Sequence, residues 1–242
     1  MKVNVLGVNF DSVSMDEALS AALEAMEGGA GHEYIVTPNP EMVIAAVNDR
    51  TFADILNGAF LTLPDGIGIV RGAKLLRRPV AERIPGIDFI SALLERMDGK
   101  RLFLLGSKPG IGERAARNIE KKYPGVVIAG VNDGYFTDDE GLIDRINSAA
   151  PDLLLVCLGS PKQEKWMARN ALRLNVKLMA GCGGTLDVYA GAVKRAPRLW
   201  RRLGLEWLYR LITQPRRIGR MMKLPKFMVM CVAERLRDGK NG

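Results

Sequence analysis

Residues 101–105, 126–131, 153–158 and 177–180 are four continuous apolar runs of strand length, separated by stretches with helical spacing at 112–122, 139–149 and 161–172. That alternation leaves few folds open. A strand that is apolar on both sides of its pleat is buried on both faces, as in a parallel sheet clothed by helices. The first half of the chain continues the pattern. Residues 2–8 read as a short strand, and Ser14-Met15-Asp16-Glu17 is a capping box that opens a helix to about Met26. Residues 34–37 and 60–63 read as strands, while 40–57, 66–76 and 86–97 have helical spacing. The expectation is an α/β fold with a Rossmann-like, mostly parallel sheet flanked by helices. The loop from Gly106 to Gly112 is not a GxGxxG fingerprint, so no dinucleotide site is expected there.

Charge divides the chain unevenly. Residues 194–242 carry 14 Lys/Arg against 3 Asp/Glu, whereas residues 1–193 carry 21 against 24. The basic segment also holds Trp200, Trp207, Tyr209, Met221, Met222, Phe227, Met228 and Met230. Arginine mixed with aromatic and aliphatic side chains suits the headgroup region of an anionic bilayer. Two parts are expected: a Rossmann-like core over 1–193 and a basic, amphipathic, helical membrane-docking appendage over 194–242. Residues 1–9 read as a strand with Asp11 close behind, so no signal peptide is expected. The uncharged run 227–233 is far short of the roughly 18 residues that span a bilayer. Three cysteines, Cys157, Cys182 and Cys231, have no metal-ligand spacing and fit a reducing cytoplasm. The single histidine, His32, argues against most zinc sites, Ser-His-Asp triads and Cys-His pairs. A general base must then be a carboxylate, Lys, Tyr or Cys.

In a parallel sheet the ligand site lies at the carboxyl ends of the strands. Those ends carry Thr37-Pro38-Asn39-Pro40, Pro64-Asp65-Gly66, Gly106-Ser107-Lys108, Asn132-Asp133-Gly134, Gly159-Ser160-Pro161-Lys162-Gln163 and Gly181-Cys182-Gly183-Gly184-Thr185-Leu186-Asp187. Each has an ordinary alternative. Thr37 and Asn39 suit helix caps, Asp65 a turn, Glu82 and Arg83 a surface pair, Gln163 an exposed first helical turn, and Cys182 a small filler beside glycine. Asp138-Asp139 lacks DxD spacing and reads as a helix N-terminus.

Taken together, Thr37-Pro38-Asn39, Pro64-Asp65-Gly66, Arg83-Ile84-Pro85-Gly86-Ile87-Asp88, Gly159-Ser160-Pro161-Lys162-Gln163-Glu164 and Gly181 to Asp187 followed by Ala190-Gly191 occur in the order and spacing of one family. The chain resembles the bacterial WecG/TagA/CpsF glycosyltransferases over essentially its whole length, and within them the TagA-type branch. The resemblance implies an inverting transfer of N-acetylmannosamine from UDP-ManNAc to the 4-hydroxyl of undecaprenyl-diphosphate-linked GlcNAc, a step in wall teichoic acid linkage-unit synthesis. Relatives that use the uronic acid form of the donor, UDP-ManNAcA, make another cell-surface polysaccharide. The resemblance also implies a site: Asp65 as general base, with Thr37, Asn39, Arg83 and Gln163 beside it. Gly181, Gly183, Gly184 and Asp187 would hold the nucleotide. Arg210, Arg217 and Arg220 fall where the family's appendage supplies arginines to the active site. With one histidine and no DxD motif, arginine is the expected counter-charge to the leaving diphosphate, so neither a metal nor another cofactor is expected. The implied place is the cytoplasmic face of the cell membrane, bound peripherally. An undocked tail would leave apolar surface for a homo-oligomer.

Two rival readings come from other classes. A basic tail allows nucleic-acid binding, but the many Leu, Met and Trp residues here exceed what phosphate contact needs, so nucleic acid is not the expected partner. A nucleotide-sugar epimerase or dehydrogenase is disfavoured by the missing GxGxxG and the missing Tyr-x-x-x-Lys pair.

Overall fold

The structure, a computed structural model, describes residues 1–28, 31–213, 219 and 223–238, apart from the side chains of Arg202 and Arg210. The strand expected over 2–8 is the first leg of a hairpin. β1 (Lys2–Val5) and β2 (Val8–Asp11) pair antiparallel around Leu6-Gly7, both at positive φ (52° and 88°). Two successive positive φ values are what a tight two-residue hairpin turn requires. The hairpin forms its own sheet. It is tied to the rest through Asp11, whose carboxylate accepts the Thr62 amide at 2.9 Å.

α1 (Met15–Gly28) starts at the expected capping box: the Glu17 amide donates to Ser14 Oγ, and the Ser14 amide returns the bond to Glu17 Oε2 at 2.7 Å. That backbone bond holds the Glu17 carboxyl below its ordinary pKa. β3 (Glu33–Val36), α2 (Pro40–Asn48), α3 (Arg50–Asn57), β4 (Leu61–Thr62), α4 (Ile67–Leu75) and α5 (Gly86–Leu94) follow. The helical pattern at 40–57 is divided by Asp49, which ends α2 and caps α3 by accepting the Phe52 amide. The second half alternates as expected: β5 (Arg101–Gly106), α6 (Ile111–Lys122), β6 (Val127–Asn132), α7 (Asp139–Ala149), β7 (Leu153–Cys157), α8 (Lys162–Asn170), β8 (Leu178–Gly181) and the short α9 (Thr185–Tyr189). Asp138 caps α7, accepting the amides of Glu140 and Gly141. α10 (Arg198–Arg202), α11 (Glu206–Thr213) and a C-terminal helix, Lys223–Asp238, complete the described chain.

The six strands form one parallel sheet in the order β4–β3–β8–β7–β5–β6. The pleat sorts the apolar runs between two cores. Leu153, Leu155 and Cys157 of β7 face one, and Leu154 and Val156 face the other. β6 departs from the expectation of burial on both faces. It is one of the two edge strands, none of its residues is fully buried, and Val127 is 44% exposed. No helix among the described residues is long and apolar enough to cross a membrane.

The C-terminal helix packs on α2 and α4. Its Phe227 and Cys231 are fully buried. The contact is close because α4 presents glycine at two positions one turn apart. A Cβ at Gly68 would lie 2.6 Å from Leu224 Cδ1, and one at Gly72 would lie 2.6 Å from the Phe227 ring. Ion pairs fasten both ends: Lys223 to Glu41 at 3.0 Å, and Arg78 to Asp238 at 2.9 Å.

Candidate active site

Crossover connections bring the loops after β3, β7 and β8 to one end of the sheet, where they surround a cavity of about 380 Å³. Thr37, Asn39, Asp65, Gln163, Gly183, Gly184 and Asp187 all line it. Residues separated by more than 140 positions are thus placed together by the strand order alone. Thr37 is buried, and its hydroxyl donates to the Gly181 carbonyl at 3.3 Å. The N-terminus of α5 presses against it: a Cβ at Gly86 would sit 2.9 Å from Thr37 Oγ1. Asn39 fills both roles open to it. Its Oδ1 caps α2 by accepting the Met42 amide at 3.1 Å, and it lines the cavity.

Asp65 sits on a loop fixed from both sides. Its amide donates to the Pro38 carbonyl at 3.2 Å, and the preceding Pro64 carbonyl accepts the Ile84 amide at 3.0 Å. Gly66 follows at φ 91°, a conformation that a side chain would strain, and it leads directly into α4. The carboxylate therefore stands on a backbone with little freedom.

Gln163 is not an exposed first-turn residue; only 3% of it reaches solvent. Its Oε1 accepts the amides of Gly159 at 3.2 Å and Gly183 at 3.1 Å, so one side chain ties the loop after β7 to the loop after β8. Its Nε2 donates to Glu164 Oε1 at 2.7 Å. Glu164 is fully buried, its Oε2 has no hydrogen-bond partner, and burial pushes its carboxyl above the ordinary range. Gly181 is not among the residues that line the cavity. It ends β8 behind the cavity wall, where a Cβ would collide with Met167 Cε at 2.7 Å, so its bare Cα makes room for α8. Asp187 accepts the Ser107 hydroxyl at 3.0 Å. Cys182 and Cys157 also line the cavity, but burial raises the Cys182 thiol well above its ordinary pKa and pushes Cys157 up to about 12. Neither is a thiolate at neutral pH, and Cys182 fits the filler reading.

A second cavity of about 170 Å³ adjoins the first and shares Asn39, Glu41 and Asp65 with it. Arg83 lines this one, with Pro40, Ile67, Gly204, Glu206, Trp207 and Leu224. The alternative of a Glu82–Arg83 surface pair is not taken up: Glu82 accepts the Met15 amide, and Arg83 reaches the Arg201 carbonyl at 3.4 Å. Arg210 falls on α11, with its side chain outside the described part, and Arg217 and Arg220 lie outside the described residues. His32 is remote from both cavities and bonds the Ala171 carbonyl through Nδ1.

Sequence reasoning passed over Glu41, Asp88, Glu164, Lys194 and Arg195 as individual residues. Asp88 and Glu164 stood inside quoted motifs without a role, and the two basic residues were counted only as bulk charge.

A model of the family described as "Glycosyl transferase WecG/TagA/CpsF family" matches residues 3–241. The N-acetylglucosaminyldiphosphoundecaprenol N-acetyl-beta-D-mannosaminyltransferase of Staphylococcus aureus strain MRSA252 is 35% identical over 230 residues, covering 94% of this chain and 91% of the relative. The protein of the same name from strain NCTC 8325 / PS 47 is 34% identical over the same shares.

Proposed function

Because the chain belongs to the WecG/TagA/CpsF glycosyltransferase family, we propose that its two adjoining cavities carry out one inverting transfer. The larger takes a UDP-activated N-acetylmannosamine, and the smaller takes GlcNAc linked through diphosphate to undecaprenol. The similarity to relatives named for that transfer supports this choice. The single observation that carries the mechanism is the position of Asp65, the strand-end carboxylate on the wall common to both cavities. The acceptor 4-hydroxyl attacks the anomeric carbon. Its oxygen forms the new bond, its proton passes to Asp65, and the electron pair of the breaking bond leaves on the diphosphate. Thr37 and Gln163 hold the floor on which the donor lies. Arg83, in the lining of the smaller cavity, meets the acceptor's diphosphate in this reading. Arginine supplies the counter-charge, and the transfer needs no metal.

Residues 194–242 act in this reading as the membrane-docking part. They bring Trp207 and Leu224 to the acceptor cavity and offer basic side chains to an anionic leaflet on the cytoplasmic side of the membrane. Leu199, Leu203 and Ile212 are more than half exposed and would enter the same layer, or the face of a second copy away from it.

The test is Asp65→Asn. Transfer is expected to fall by about 10²–10⁴-fold, the usual contribution of a general base, with UDP affinity changed by no more than a few fold. Turnover within tenfold of wild type removes Asp65 from the role.

A further inference from the structure

Among the described residues, the basic side chains that line the larger cavity are Lys194 and Arg195. Three carboxylates share its wall: Glu41, which Lys223 pairs from outside the lining, Asp65 and Asp187. A diphosphate entering there meets like charge unless a cation opposes it. Arg195 is built for that task rather than left to solvent. Its Nη1 donates to Asp88 Oδ1 at 2.7 Å and its Nη2 to Asp88 Oδ2 at 2.6 Å, a planar two-bond fork. Asp88 is braced in turn by Arg201 at 3.7 Å. It stands in the first turn of α5, whose Gly86 and Ile87 line the same cavity. Burial alone would lower the guanidinium's pKa, but the Asp88 carboxylate, with Glu206 and Asp65 nearby, outweighs it and holds that pKa above its ordinary value.

Two features separate this arrangement from an ordinary surface ion pair. The Arg195 side chain is only 19% exposed, and its Nε is buried without a hydrogen-bond partner. A guanidinium also has five N–H groups, and the fork to Asp88 uses two of them. Beyond the fork and the buried Nε–H, one N–H on each Nη remains for a ligand, on a side chain already ordered before the ligand arrives.

We propose that Arg195, oriented by Asp88, binds the diphosphate of the nucleotide sugar and meets the charge that develops as this group leaves. The inference rests on the donor reading above. It places the first counter-charge where residues 194–197 leave the core, ahead of Arg210, Arg217 and Arg220. Arg195 is a substrate-binding residue, and Asp88 is a positioning residue that acts through it.

The experiment compares UDP with uridine as calorimetric titrants of the full chain. Arg195→Ala is expected to weaken UDP by about ten- to a hundredfold, the usual loss of a charge-assisted contact, and to leave uridine unchanged. Asp88→Asn keeps the shape and removes the orienting charge; it should weaken UDP less and again spare uridine. Arg195→Lys, which keeps the charge without the fork, is the second variant if alanine unfolds the junction, and it should also lose UDP affinity selectively. UDP affinity within twofold of wild type in the folded Arg195 variants overturns the inference. So does a parallel loss of UDP and uridine, which would mean that Arg195 only shapes the cavity. If the wild-type chain itself fails to bind UDP, the donor reading falls first and takes the inference with it.

Discussion

The larger cavity is walled chiefly by loops that leave β3, β7 and β8, whereas the smaller one borrows Gly204, Glu206, Trp207 and Leu224 from the C-terminal region. The first follows from strand order. The second exists only while Gly204, Glu206, Trp207 and Leu224 stay beside the start of α4. The same helix α4 begins two residues after Asp65, with Gly66 between them, and carries the two glycines that admit the C-terminal helix. Docking at Gly68 and Gly72 and the placing of Asp65 are therefore consequences of one element's position. If the larger cavity takes the donor and the smaller the acceptor, as proposed, the comparison predicts that the two bindings can be uncoupled by mutation although both cavities share Asp65.

The largest uncoupling is expected from Phe227→Ala. The ring is fully buried in the gap that Gly72 leaves, and removing such a ring costs about 3–5 kcal/mol of stability. Denaturant unfolding measures that loss. Acceptor-dependent turnover should fall further than UDP affinity, because the altered wall belongs to the smaller cavity. Equal losses of both would break the comparison.

A smaller effect, confined to the donor side, is expected from Glu164→Gln. Burial raises the Glu164 carboxyl, so the native chain keeps a proton that the unfolded chain releases once pH passes the ordinary carboxyl range. Stability contributed by this group is present below that range and is lost as pH rises toward the folded value. The glutamine variant should remove that slope while preserving an amide or carbonyl partner for Gln163. Stability profiles with the same slope in both proteins would show that Glu164 ionises normally.

The smallest effect is expected from single alanine substitutions of Arg210, Arg217 and Arg220. An arginine that serves only the membrane contributes about 1 kcal/mol to binding anionic vesicles. Its loss leaves turnover on a soluble acceptor intact. A variant that turns over the soluble acceptor poorly while binding vesicles normally identifies an arginine that reaches the reacting groups.

The sheet was legible because β5, β7 and β8 are apolar on both faces, and the strand-end loops followed from it. Thr37, Asn39, Asp65, Gln163, Gly183, Gly184 and Asp187 could be placed together for that reason. The hairpin at Leu6-Gly7 was less visible, since only that pair, at positive φ, interrupts the apolar–polar alternation from Val3 to Phe10. The fit of Phe227 over Gly72 was hidden because complementarity between two helices far apart in sequence leaves no local period; the pair Gly68 and Gly72, one turn apart, was the available signal. Gln163 was ambiguous because its burial depends on Gly181 across the sheet. Arg195 disappeared into the sum of a basic tail, and only the Asp88 fork distinguishes it from its neighbours.

The central claim is that one carboxylate, on the wall between a donor cavity and an acceptor cavity, drives an inverting transfer without a metal. The direct measurement incubates the full chain, in EDTA, with UDP-ManNAc, UDP-ManNAcA and UDP-GlcNAc in turn and a short-chain lipid-diphosphate GlcNAc, and reads the product linkage by NMR. The account predicts UDP release only when acceptor is present, and a β-(1→4)-linked N-acetylmannosamine product from UDP-ManNAc. Retention at the anomeric carbon, or activity that stops in EDTA and returns with Mg²⁺, would contradict it.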